Sequence, residues 1–158
     1  MKVVANTTPL ISLASIGKLE LLKDIFGEVI VAEAVYKEIK AKKGYGYSEI
    51  DTDYIKVQSI KGVAYRDFLL SQLDLGETET IILAKEIGAD FVIIDENIAY
   101  KIAKSSELNV VRTLSILLRA KEKGLIPALK PLLDEMILKG RWYSQRVYET
   151  ILEQSGEI

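Results

Sequence analysis

Short β-branched runs alternate along the chain with longer stretches whose apolar residues recur at helical spacing. That is the pattern of a parallel sheet covered by helices. It predicts strands at Lys2–Ala5, Glu28–Val31, Ile55–Ser59, Phe91–Ile94 and Asn109–Arg112. Between them it predicts helices at Pro9–Ser15, Leu19–Ile25, Ala32–Lys43, Gly76–Ile87 and Glu96–Ser106. Beyond the last strand the periodicity is helical only, at Leu114–Lys123, Ala128–Lys139 and Ser144–Gln154. Gly88, Gly124 and Gly140 stand where helices should stop, and Pro127 where the next should open. Thr8-Pro9 reads as an N-cap followed by the first helical residue. The glycine-containing, mixed-polarity stretch Gly44–Asp53 reads as a surface loop. The expected architecture is α/β: three layers, α/β/α, around a parallel sheet of about five strands. One domain is expected over residues 1–158, with a helical extension from about residue 114.

Open α/β sheets bind ligands beyond the carboxyl ends of their strands, so the residues just after each strand come first. Asn6 and Thr7 follow the first strand, and Asp95 follows Phe91–Ile94. Two more acids sit on helices. On a wheel at 100° per residue, Glu77 falls in the apolar arc with Ile81 and Ala84, while Thr78, Glu79, Lys85 and Glu86 lie towards the polar side. A first-turn acid is also favoured by the helix dipole alone. Glu38 points between Val35 and the small residues Ala34 and Ala41, away from Glu33, Lys37 and Lys40. It reads either as an inward acid with room to reach a site or as a solvated member of a lysine-rich helix.

Composition narrows the chemistry. The chain has no cysteine and no histidine, which excludes disulfides, thiolate zinc sites, imidazole bases and serine–histidine triads. Acid–base or metal chemistry must therefore come from Asp, Glu, Lys or Tyr. Three carboxylates directed at one sheet edge repel unless a cation compensates them. Mg²⁺ or Mn²⁺ suits an all-oxygen donor set, so metal-assisted phosphodiester hydrolysis matches this inventory best. Net charge is −2, but acidic residues prevail up to residue 97 and basic ones from 98 to 146. The excess reads either as solvated helix faces or as a basic surface beside an acidic site. Trp142 and Tyr143 beside Arg141 are expected to pack the last helix onto the domain, with base stacking as the alternative. No apolar run is long enough to span a bilayer, so a cytoplasmic protein without membrane contact is expected.

Several stretches together resemble the PIN-domain nucleases, in particular a prokaryotic subgroup related to VapC-type toxin ribonucleases. These are VVANTTPLISLASIGKLELL, AVYKEI, LGETETIILAKEIGAD, FVIIDENIAYKIA and TLSILLRAKEKGLIPALKPLLDEM. The resemblance implies an acid quartet that binds one or two divalent cations and cleaves single-stranded RNA. It places that quartet at Asn6, Glu38, Glu77 and Asp95, as catalytic and metal-binding positions. It gives Thr7, Glu96 and Asn97 supporting roles. It also implies an antitoxin partner and a homodimer. The departure is Asn6, an amide where the family pattern has an acid, which offers a neutral carbonyl in place of a charge. A slower nuclease, a disarmed one and a catalytically inactive PIN-fold protein that binds nucleic acid or antitoxin are all compatible with it. An aspartyl-phosphate phosphatase is not, because Asn6 cannot form an acyl-phosphate.

Overall fold

The computed structural model describes residues Met1–Ile158. Its strands are β1 (Val3–Ala5), β2 (Val29–Ala32), β3 (Ile55–Gln58), β4 (Phe91–Ile93) and β5 (Val110–Val111). All pair in parallel, in the order β3-β2-β1-β4-β5. The helices are α1 (Thr7–Ser15), α2 (Leu21–Phe26), α3 (Glu33–Lys40), α4 (Arg66–Leu69), α5 (Leu75–Ile87), α6 (Asn97–Ser105), α7 (Thr113–Glu122), α8 (Lys130–Leu138) and α9 (Gln145–Gln154). Parallel strands need crossovers, and right-handed crossovers put the helices before and after the reversal at β1 on opposite faces. So α5 lies against β1, β2 and β4, while α2 packs on β2 and against α7. The result is the three-layer α/β/α arrangement expected. One cluster of 38 buried apolar residues runs through it.

Several local expectations change. Helix α1 begins at Thr7, with Asn6 extended in the N-cap position (φ −83, ψ 173), so Thr8 is already helical. The eighth helix opens at Lys130 with Pro131 in its first turn, not at Pro127. The short α4 carries too few residues to show a period and was not anticipated. Thr78 and Glu79, placed on the polar side of their helix, are both buried. The reason is that α5 is covered by α3 and α4 as well as by the sheet, so almost its whole circumference is interior. Glu79 is satisfied there by the Ala34 N–H at 3.1 Å, an otherwise orphaned donor at the start of α3. The Gly44–Asp53 segment is irregular as expected, anchored by the buried Ile50. In the tail, Leu114, Leu117, Leu129, Leu133 and Met136 belong to the chain's own core. They leave Leu125, Ile137 and Leu138 as the apolar residues exposed between α7 and the end of α8.

Candidate active site

The strand order reverses at β1, so the crevice between the carboxyl ends of β1 and β4 is the topological switch point. Ala5 and Ile93 are in register there, and the Asn6 N–H continues the ladder to the Ile93 carbonyl at 3.0 Å. Three consecutive residues then each reach a different element. The Asn6 amide oxygen faces the Thr80 hydroxyl of α5 at 3.4 Å. The Thr7 hydroxyl donates to Glu38 Oε2 of α3 at 3.2 Å. The Thr8 hydroxyl donates to Glu96 Oε1 beyond β4 at 2.5 Å. This works because α1 starts immediately after β1. In the first turn of a helix successive residues point about 100° apart, so three neighbours address three directions.

Around this tripod four carboxylates influence one another: Glu38, Asp74, Glu77 and Glu96. Partial burial, then the charges of Asp74 and Glu96, push the Glu38 carboxyl above its ordinary value; the Thr7 bond opposes this. Partial burial also raises Glu77, with Asp74, Glu96 and Glu38 adding to it and the Asp74 N–H working against it. Asp74 and Glu77 form a capping box at the start of α5: Glu77 N–H to Asp74 Oδ1 is 2.7 Å, and Asp74 N–H to Glu77 Oε1 is 3.1 Å. That bond occupies one Glu77 oxygen. Gly76, between them, is where the cluster is tightest. A Cβ there would lie 2.7 Å from Glu38 Oε2, so the missing side chain is the space into which Glu38 reaches.

Asp95 behaves differently. It is buried, and its carboxylate accepts from the Thr113 N–H (2.8 Å), the Thr113 hydroxyl (2.7 Å) and Arg141 Nη2 (3.0 Å). It thereby ties the first turn of α7 and the Gly140–Ser144 connection to the sheet edge. Arg112 donates to the Asp95 carbonyl (2.9 Å) and to Asn97 Oδ1 (3.1 Å), with its guanidinium over the Tyr100 ring. Of the sequence-derived positions, then, Asn6, Thr7, Glu38, Glu77 and Glu96 meet around the crevice. Asp95 and Asn97 lie on its β4 side, committed to Thr113, Arg141 and Arg112. Both readings of the basic segment hold in part: Arg112 and Arg141 flank the crevice, while Lys121, Lys130 and Lys139 pair with acids of their own helices or of the C-terminus. The sequence did not single out Asp74, Thr80 or Thr113, and pointed to Arg141 only as a basic neighbour of Trp142 and Tyr143. Asp74 was visible as the first residue of a D-x-x-E capping pattern. Thr113 comes two residues after β5, close to a strand end as Asn6 is. Nothing local ties Arg141 to Asp95.

A family model described as a PIN domain matches residues 2–157. The chain belongs to the PIN-domain family. No curated protein and no solved structure matches it. The PIN domain is a nuclease-type fold whose members generally use divalent metals. The donors of this PIN domain are all oxygen, as a hard cation requires. Glu96 Oε2 is buried without a hydrogen-bond partner, and burial, with the neighbouring carboxylates adding to it, raises the carboxyls of Glu38 and Glu77. No three carboxylates are drawn close enough to hold one ion together. Mg²⁺ needs only one or two carboxylates beside its waters, so the residues fit such an ion. No helix is long and apolar enough to cross a membrane.

Proposed function

We propose that this PIN domain is a divalent-metal-dependent ribonuclease of the VapC toxin type, acting on phosphodiester bonds of single-stranded RNA. The observation that carries the reading is the mutual proximity of Glu38, Glu77 and Glu96, two of them bonded to the turn that follows β1 and none of them in a salt bridge. One or two of these carboxylates, with the Asn6 carbonyl and waters, would hold Mg²⁺ or Mn²⁺, and Asp95, the fourth position the resemblance implies, would stand on the β4 side of the ion. When bound, the ion supplies an activated water and stabilises charge on the phosphoryl oxygens. The chain's own contributions are positional. Thr7 and Thr8 orient Glu38 and Glu96, and the capping box orients Glu77. Asp95 holds the β4 side through Thr113 and Arg141, keeping the guanidinium beside the crevice where an RNA phosphate would pass.

Asn6 is the observation favouring a second reading, an RNA-binding PIN domain that does not cut. With a neutral amide at the centre of the tripod the cluster has one charge fewer than an aspartate would give it. The test is Mn²⁺-dependent cleavage of single-stranded RNA by the chain as it stands, by Asn6→Asp and by Glu38→Gln. Cleavage by the first that Glu38→Gln abolishes supports the nuclease. Cleavage by Asn6→Asp alone supports the non-cutting reading. No cleavage and no Mn²⁺ binding in any form sinks the metal site. An antitoxin partner and a homodimer belong to the same proposal, and sedimentation of the chain alone tests the dimer.

A further inference from the structure

Beside Asp95 and Glu96 the sheet edge opens into a cavity of about 450 Å³ whose outer wall is the Arg141–Ser144 connection between α8 and α9. The two aromatic residues of that wall differ sharply. Tyr143 is half-buried and packs against the core, so it does the docking expected of the pair. Trp142 is 78% exposed and contributes almost nothing to that packing. Two polar atoms of the wall, Arg141 Nε and Tyr143 Oη, are buried without a hydrogen-bond partner. Arg112 supplies a second guanidinium to the same cavity. Asp95, the carboxylate at its base, is already bonded to Thr113 and Arg141. The other carboxylate, Glu96, stands on the rim shared with the acidic cluster.

We propose that this cavity is a nucleotide subsite, in which Trp142 stacks on a base of single-stranded RNA and Arg112 and Arg141 face the adjoining phosphate. The inference rests on the reading of RNA as the substrate and adds where one nucleotide sits. An open indole face accepts a base of any identity, and planar guanidinium forks suit phosphate oxygens. The volume lies within the range of small-ligand cavities. A duplex keeps its bases stacked on one another and cannot present one to Trp142, so the subsite selects single strands.

Trp142 is the only tryptophan in the chain, which makes its fluorescence a direct report on the subsite. Titration with a short oligouridylate in EDTA, where no cleavage occurs, should quench that emission saturably. Anisotropy of a labelled oligouridylate should show about 5- to 150-fold weaker binding to Trp142→Ala, the equivalent of one lost base–aromatic stack, and near-normal binding to Trp142→Phe. Because Trp142 is exposed, neither variant disturbs folding. Unchanged emission on RNA addition, or equal affinity of Trp142→Ala, overturns the subsite, as does an emission change produced by a protein partner and not by RNA. RNA that binds and quenches but is not cut with Mn²⁺ present refutes the nuclease reading alone.

Discussion

Gly76→Ala separates the two roles of the crevice, because the substitution should help the fold and harm the site. Gly76 sits in the first turn of α5, and its φ is not in the left-handed region, so alanine is allowed there. Replacing a helical glycine by alanine is worth up to about 1 kcal/mol, somewhat less in a first turn. For a chain of this length that corresponds to a rise of roughly 2–4 °C in Tm. The new Cβ would lie 2.7 Å from Glu38 Oε2 but 3.5 Å and 3.6 Å from Thr7 Oγ1 and Asp74 Oδ1. Only Glu38 must move, and it is the end of an exposed, flexible side chain, held there by the Thr7 hydroxyl. Ordinary contact begins at 3.4 Å, so the carboxylate retreats by about 0.7 Å, comparable to displacements that cost about 100-fold in catalytic sites. Thermal unfolding in EDTA and with saturating Mn²⁺ reads both effects. The parent should gain stability with Mn²⁺, about 2.7 kcal/mol at a hundredfold excess over Kd. Gly76→Ala should match or exceed the parent in EDTA and lose most of that gain. An undiminished Mn²⁺ effect would refute the placement of Glu38 in the metal site. A clearly lower Tm in EDTA would refute the claim that the clash is relieved cheaply.

Glu38→Gln should be more stable than the parent at pH 7.5 without metal. Its carboxyl titrates above the unfolded value of 4.5, so the native state binds more protons in that window and stability falls as pH rises through it. Tm against pH should show the two forms converging in acid, and a less stable Glu38→Gln at pH 7.5 contradicts the charge argument. Thr113→Val removes the hydroxyl that bonds the buried Asp95 and should cost about 1–3 kcal/mol in urea unfolding; no loss would mean that Asp95 does not anchor α7. Glu157 is desolvated, yet the N–H groups of Lys130 and Leu129, with Lys121, hold it down to about 2. Its contribution is therefore present above 4.5 and lost as pH falls towards 2. Glu157→Gln should cost about 1.5–3 kcal/mol at pH 7, measured by urea unfolding, with the gap to the parent closing in acid.

The alternation of β-branched runs and helical periods was enough to place five parallel strands in an α/β/α frame, because each period reflects which residues one element can bury. The strand-end rule likewise brought Asn6, Thr7 and Asp95 to the crevice. The helical wheel did less well. Thr78 and Glu79 look polar along the sequence, but α5 is covered on both sides, and burial by α3 and α4 leaves no trace in its own period. The different surroundings of Asp95 and Glu96 were equally hidden. Both follow β4, and only the arrival of Thr113 and Arg141 from distant parts of the chain saturates the first while leaving an oxygen of the second unpartnered. Trp142 and Tyr143 are adjacent aromatic residues with the same composition signal, and the turn of the chain at Gly140–Ser144 sends one inward and leaves the other in solvent. Local residues determine which elements form and where their ends fall. Which acid is bonded and which keeps an unpartnered oxygen is settled by contacts between residues far apart in sequence, and no local pattern encodes those.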